Sequence, residues 1–163
     1  MASCNVGQRL QSLISQKTHS VPAKTPFDSA AVPPISVVDY VQRLSRCTKA
    51  TAAAEVVAAG LMMRFLGRTR AALTRFNVHR LYLSAFVIAL KLLEDEQYSM
   101  RHYARAGGID VAELAQLESA FLKRIGWDLG LQTLELPKPP TSVRCPSVDS
   151  TDASSGSESD SDC

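Results

Sequence analysis

A chain of 163 residues has room for one domain and its flanking segments, and 45% hydrophobic content is enough to give that domain a core. The net charge of +2 hides a division: residues 36–134 hold 13 Lys and Arg against 9 Asp and Glu, whereas residues 147–163 hold five acids and no base. Positive charge spread along several helices, rather than gathered on one face, argues against nucleic acid as a partner.

The four cysteines, Cys4, Cys47, Cys145 and Cys163, show no metal-ligand spacing. The expectation is a reduced protein of the cytoplasm and/or nucleus, with no metal or other cofactor. The first 30 residues lack the long apolar run of a secretory leader, and neither end matches a lipidation signal. Arg9, Lys17, several serines and no acid before Asp28 share only the composition of a transit peptide.

In chain order, Val6, Leu10, Leu13 and Ile14 share one face of a short amphipathic helix over residues 6–16. Pro22, Pro26, Pro33 and Pro34 make residues 17–34 an extended connector. Ser36 with Asp39 three positions on is a capping-box arrangement, opening a helix to Cys47 with Val37, Tyr40, Val41 and Leu44 inward. A second helix opens at Thr48 or Thr51, presents Ala53, Ala54, Val57, Gly60 and Leu61 as a small-residue face, and stops at Gly67.

The next segment organises the rest. From Leu81 to Leu93 only Ser84 and Lys91 are clearly polar, so a helix there is apolar around nearly its whole circumference and must be surrounded by others. Its thirteen residues are too few for a bilayer, which asks for about 20. Asn77 is its expected cap, and the small-residue face is expected to pack on it. Glu94, Asp95 and Glu96 end it, where acids oppose the helix dipole at about 0.3–1 kcal/mol each when exposed. They read either as a solvated turn or as an acidic patch for a partner.

A fourth helix, Ser99 to Arg105, halts at Gly107-Gly108, because glycine enters the left-handed conformation at low cost. A fifth starts at Asp110, has Glu113 in its first turn, and runs to about Gly126 on a stripe of Leu114, Leu117, Phe121 and Ile125. Residues 135–146 are proline-rich, and residues 147–163 are Ser and acid with few apolar residues, a composition that stays disordered. The fold class is therefore all-α: a five-helix domain over residues 33–134, an N-terminal segment 1–32 with its short helix, and a tail 135–163. Ser155, Ser157 and Ser159 each have an acid three residues on, the pattern of an acidophilic phosphorylation site.

Two charges fall in unexpected places. At 100° per residue Glu118 lies between Ile125 and Leu122, inside the apolar stripe of its helix, and Lys91 is surrounded by aliphatic neighbours on the central one. A buried charge left unpaired costs several kcal/mol, so each needs a partner. Either they pair with each other, or Lys91 reaches water along its own stem, or the two helices flank a groove in which both hold polar atoms of a docked helix. In the last case Ile88, Leu92 and Leu122 are its apolar walls.

The helices resemble a cyclin box, and the match is closest to the P/U-type cyclins, the group related to the phosphate-pathway cyclins of fungi. Four segments carry the resemblance: Pro33-Pro34-Ile35-Ser36 with Tyr40 and Arg43; Phe76 to Leu81; Ala89-Leu90-Lys91-Leu92 with Glu94-Asp95; and His102 to Ile109 followed by Leu117-Glu118 and Phe121-Leu122. The resemblance implies a non-catalytic subunit that binds a cyclin-dependent protein kinase. It assigns kinase hydrogen bonds to Lys91 and Glu118, and apolar kinase contacts to Ile88, Leu92, Leu122, Trp127 and Leu129. It also has departures. The Arg-containing substrate-docking motif of cell-cycle cyclins would fall at Pro33–Val37, where this chain reads Pro-Pro-Ile-Ser-Val, so docking by that route is not expected. Met63 replaces an aspartate of those cyclins, and a single box is expected.

Two rival functions are weaker. His19, His79 and His102 fall in no hydrolytic or metal motif, and no glycine loop suits a phosphate, which speaks against an enzyme. A cyclin-fold scaffold or transcription factor binding DNA or a peptide would need a basic face, for which Arg64, Arg68, Arg70, Arg75 and Arg80 are the candidates.

Overall fold

The computed structural model describes residues 2–14 and 25–130. Among them are six helices and no strand: α1 (Ala2–Leu13), α2 (Val37–Thr48), α3 (Ala52–Thr69), α4 (Val78–Leu93), α5 (Met100–Gly107) and α6 (Val111–Arg124). The tail from residue 135, with Ser155, Ser157 and Ser159, lies outside the described residues.

As its composition requires, α4 is the central rod: every residue from Leu81 to Leu90 is buried. Its most extensive partner is α3, α6 runs along another side, α1 lies on α2, and α5 bridges α2 and α6. The face of α3 turned inward is Ala54, Ala58, Leu61, Met62 and Phe65, while Ala53 is exposed. Of the expected small-residue face, Ala54, Gly60 and Leu61 are buried and Val57 packs against the core; only Ala53 falls outside it, because the three consecutive alanines Ala52–Ala54 carry no rotational phase. Glu55 is buried on α3 as well, at 2% exposure.

Helix starts follow their caps. The Ser36 hydroxyl accepts the Asp39 N–H and donates to the Asp39 carboxylate at 2.7 Å; Ser99 and Asp110 accept from the His102 and Ala112 N–H groups. Thr51, not Thr48, opens α3. Its N–H and hydroxyl both donate to Glu94 Oε1, at 3.1 and 2.7 Å. One of the three acids at the end of α4 thus serves the N-terminus of α3, where the dipole favours negative charge.

Three expectations are corrected. The α3 helix passes through exposed Gly67 and ends two residues later, with Arg70 left-handed at φ 51°. Asn77 makes no side-chain cap; its amide instead accepts the Thr74 N–H and donates to the Ala72 carbonyl, folding the turn before α4. The first helix spans Ala2–Leu13 rather than residues 6–16, with Val6 and Leu10 in the core and Leu13 exposed. Gly7 lets it approach closely, since a Cβ there would come within 2.8 Å of the Val38 Cα.

The connector also holds a core residue that periodicity could not reveal. Phe27 is 1% exposed and meets Phe65 and Phe121 edge-on, at 5.1 and 6.3 Å, while those two rings stack at 4.9 Å. Such pairs add about 0.5–1.5 kcal/mol beyond the area they bury.

The segment His102 to Ile109 closes α5 through side chains of α2. The Tyr40 hydroxyl donates to the Gly107 carbonyl at 3.1 Å and the Arg43 guanidinium to the Arg105 carbonyl at 3.3 Å. Gly108 is left-handed at φ 72°, and the bonds Gly108 N–H to Arg105 O and Ile109 N–H to Ala104 O form a Schellman end. Gly107 has a different reason for its size: a Cβ there would lie 2.5 Å from a Leu83 methyl.

Candidate functional site

The two misplaced charges meet. Lys91, near the end of α4, donates from Nζ to Glu118 Oε1 of α6 at 2.6 Å, with side chains 34% and 15% exposed. Of the alternatives left open, pairing is the one observed, and the pair is not sealed from solvent. Toward the start of α4 a second ion pair, Arg80 with Glu113, ties the same two helices. Partly exposed pairs of this kind are worth about 0–1 kcal/mol to stability.

The apolar residues expected to accompany the first pair differ in exposure. Leu92 is 42% exposed and Trp127 64%, Leu122 and Leu129 are half-buried, and Ile88 is in the core at 3%. Of these residues Leu92 and Trp127 are the open ones, and Ile88 is the buried one. Trp127 is the most exposed large apolar residue described.

The backbone that carries Trp127 is unusual. The α6 helix ends in a second Schellman motif, with Gly126 N–H bonded to Lys123 O and Trp127 N–H to Leu122 O. Gly126 is left-handed at φ 65°, and so is Trp127 at φ 59°. That conformation costs a non-glycine residue about 1–2 kcal/mol. Two arginines one turn apart on α3 hold the segment. Arg68 donates to the Ile125 carbonyl and, at 2.7 Å, to the Asp128 carboxylate; Arg64 donates to the carbonyls of Asp128 and Gly130, at 2.7 and 2.6 Å, and to Asp128 Oδ1 at 3.2 Å.

This role of Arg64 and Arg68 was not apparent from the sequence, where they read as part of a basic cluster. The usable signal was their spacing of four, which puts both on one helix face. With Arg80 also engaged, Arg70 and Arg75 remain as exposed members of that cluster. No group of three or more His, Cys, Asp or Glu among the described residues is arranged to hold a metal ion. No described helix is long and apolar enough to cross a membrane.

Two clefts are lined by neither Lys91 nor Glu118. One of about 280 Å³ is lined by Lys49, Glu94, Glu96, Tyr98 and Tyr103 among others. The other, about 260 Å³, opens along Pro33–Val37 beside His79, at the stretch where a docking motif was not expected. His79 is buried there: its Nε2–H donates to the Ile35 carbonyl at 3.1 Å, and Nδ1 has no partner among the described residues. Burial outweighs the carbonyl bond and holds the imidazole below its usual range. Tyr40 and Tyr82 are pushed well above the usual phenol range, chiefly by burial, with the Glu55 charge adding to the effect at Tyr82.

A family model described as Cyclin matches residues 3–129. The chain belongs to the cyclin family. This cyclin is 33% identical over 105 residues to Cyclin-U3-1 of Arabidopsis thaliana, covering 64% of this chain and 48% of that one. It is 36% identical over 110 residues to Cyclin-P4-1 of Oryza sativa subsp. japonica, covering 67% and 52%. It is also 36% identical over 110 residues to the Nuc-1 negative regulatory protein preg of Neurospora crassa, covering 64% and 22%. The resemblance to P/U-type cyclins therefore holds. The cyclin described here spans about half the length of the curated plant relatives it matches.

Proposed function

We propose that this cyclin is a non-catalytic regulatory subunit that binds and activates a cyclin-dependent protein kinase, in control of the cell cycle or of a nutrient response, in the cytoplasm and/or nucleus. Lys91, Glu118, Leu92, Leu122, Trp127 and Leu129 form its contact face, with Ile88 beneath. The observation that carries the reading is the half-open Lys91–Glu118 pair joining α4 and α6, with exposed Leu92 next to Lys91 in the chain and exposed Trp127 just after α6. An ammonium has three N–H donors and a carboxylate about four acceptor positions. The bond between them uses one of each, so both groups can serve a partner's backbone without first separating. A protein that binds only the kinase conformation with its Lys–Glu ion pair in place shifts the population toward that state, and needs no reactive group of its own.

Affinity capture from native extract tests this. The unaltered chain is expected to retain a cyclin-dependent kinase, identified by mass spectrometry, with ATP-dependent activity. Lys91→Glu or Glu118→Lys is expected to reduce capture by about 30-fold or more, as loss of a central hot spot does, while circular dichroism remains helical. Full capture by the folded variants would overturn the assignment. Salt-sensitive binding of DNA by the isolated chain would favour the scaffold or transcription-factor reading instead.

A further inference from the structure

We infer that Arg68, assisted by Arg64, is a positioning residue for the partner face: it fixes the left-handed backbone at Trp127 so that the indole stands out as a pre-set apolar anchor. The inference rests on the reading of that face as the kinase contact.

The argument starts from a conflict. Trp127 combines an exposed indole with a backbone conformation that L side chains rarely adopt. Neither feature benefits the chain by itself. The structure nevertheless secures that conformation from both sides, since the arginine bonds to Ile125 precede Trp127 and those to Asp128 and Gly130 follow it. Gly126 fits the same arrangement: a Cβ at this position would lie 2.9 Å from Arg68 Nη1, so the glycine is matched to the guanidinium as well as to its φ of 65°. Asp128 receives both arginines, one on each carboxylate oxygen.

Placement gives the arrangement its use. Trp127 N–H is bonded to the Leu122 carbonyl, and Leu122 lies one turn beyond Glu118 on α6. On the proposed reading, the indole then belongs to the same contact face as Leu122 and the Lys91–Glu118 pair. Tryptophan is prominent among residues that dominate protein interfaces, and holding such a side chain in its bound geometry beforehand avoids an ordering cost at the moment of association. The partner implied is a protein surface with an apolar recess for the indole, next to backbone polar groups that meet the charged pair.

Trp127 is the only tryptophan of the chain, so its fluorescence reports on this position directly. Time-resolved anisotropy of the free, full-length protein is expected to show an indole that rotates with the whole molecule. In Arg68→Gln a fast local component should appear, while Arg70→Gln, the same charge change on a neighbouring exposed residue, should leave the decay unaltered. In kinase capture, Arg68→Gln should lose about fivefold and Trp127→Ala more, with Arg70→Gln at the unaltered level.

An indole as rigid in Arg68→Gln as in the unaltered chain would overturn the inference. So would a mobilised indole with undiminished capture, or full capture by Trp127→Ala. Loss of capture by Lys91→Glu alongside full capture by Trp127→Ala would remove this inference and leave the kinase reading standing. Absence of any kinase with the unaltered chain would remove that reading and the partner role of Trp127 together, while the anisotropy would still decide whether Arg68 holds the indole.

Discussion

The ends of α5 and α6 use one backbone device for opposite purposes. Both close with a Schellman motif around a left-handed glycine, Gly108 and Gly126, followed by an apolar residue. At α5 that residue, Ile109, packs against the core, as the motif usually arranges. At α6 it is Trp127, left-handed itself and 64% exposed. The α5 end is held by Tyr40 and Arg43 and serves the fold. The α6 end is held as firmly by Arg64 and Arg68, yet what it fixes points away from the fold. Strong local hydrogen bonding is therefore no guide to whether a segment is structural; where its apolar side chain goes is the better guide.

The contrast can be broken most forcefully at Gly107. Gly107→Ala puts a methyl group 2.5 Å from the Leu83 side chain, inside a packed core. Overpacking of this kind costs about 1–3 kcal/mol, read as a lower urea midpoint with an unchanged slope. An unchanged midpoint would mean that the α5 end yields more easily than its packing indicates.

A smaller effect comes through pH, because the α5 end is linked to His79: the Tyr40 that bonds Gly107 also meets the His79 ring edge-on at 4.9 Å. The folded imidazole lies below its ordinary value of 6.5 because of burial. Above about 6.5 both folded and unfolded chains carry it neutral, and its contribution is fully present. As pH falls through 6.5 toward the folded value, the unfolded chain takes up a proton that the folded chain refuses, and stability declines. Denaturation midpoints measured between pH 7.5 and 5 are expected to fall, and His79→Gln to flatten that part of the profile. An equal slope in the variant would exclude His79 as the cause.

The smallest change is expected at Trp127. Trp127→Gly relieves the left-handed strain and removes a largely exposed side chain, so stability should stay within about 0.5 kcal/mol of the unaltered chain or rise. A large loss of stability there would make Trp127 structural after all and abolish the contrast.

Much of this was legible beforehand, for identifiable reasons. The Leu81–Leu93 run, apolar but for Ser84 and Lys91, could only be a surrounded helix, and the caps at Ser36 and Asp110 each had an oxygen in the right place. Lys91 and Glu118 stood out because helical periodicity put charge where apolar residues belonged. What escaped had no period to betray it. Phe27 is a lone aromatic in a proline-bearing connector, the alanines of α3 have no rotational signature, and Glu94 acts on a helix start 43 residues away. Arg64 and Arg68 were invisible as a clamp because their acceptors are mostly carbonyl oxygens, which every residue has.

The carboxylate of Glu94 also bears on the proposed contact face. It follows Lys91 by three residues and is hydrogen-bonded to Thr51, the cap of α3, which ties the far end of the central rod to the start of its largest neighbour. The ammonium that would meet a kinase is thereby aligned by a threonine forty positions earlier. A change at Thr51 would disturb the two hydrogen bonds that hold the Glu94 carboxylate just past Lys91.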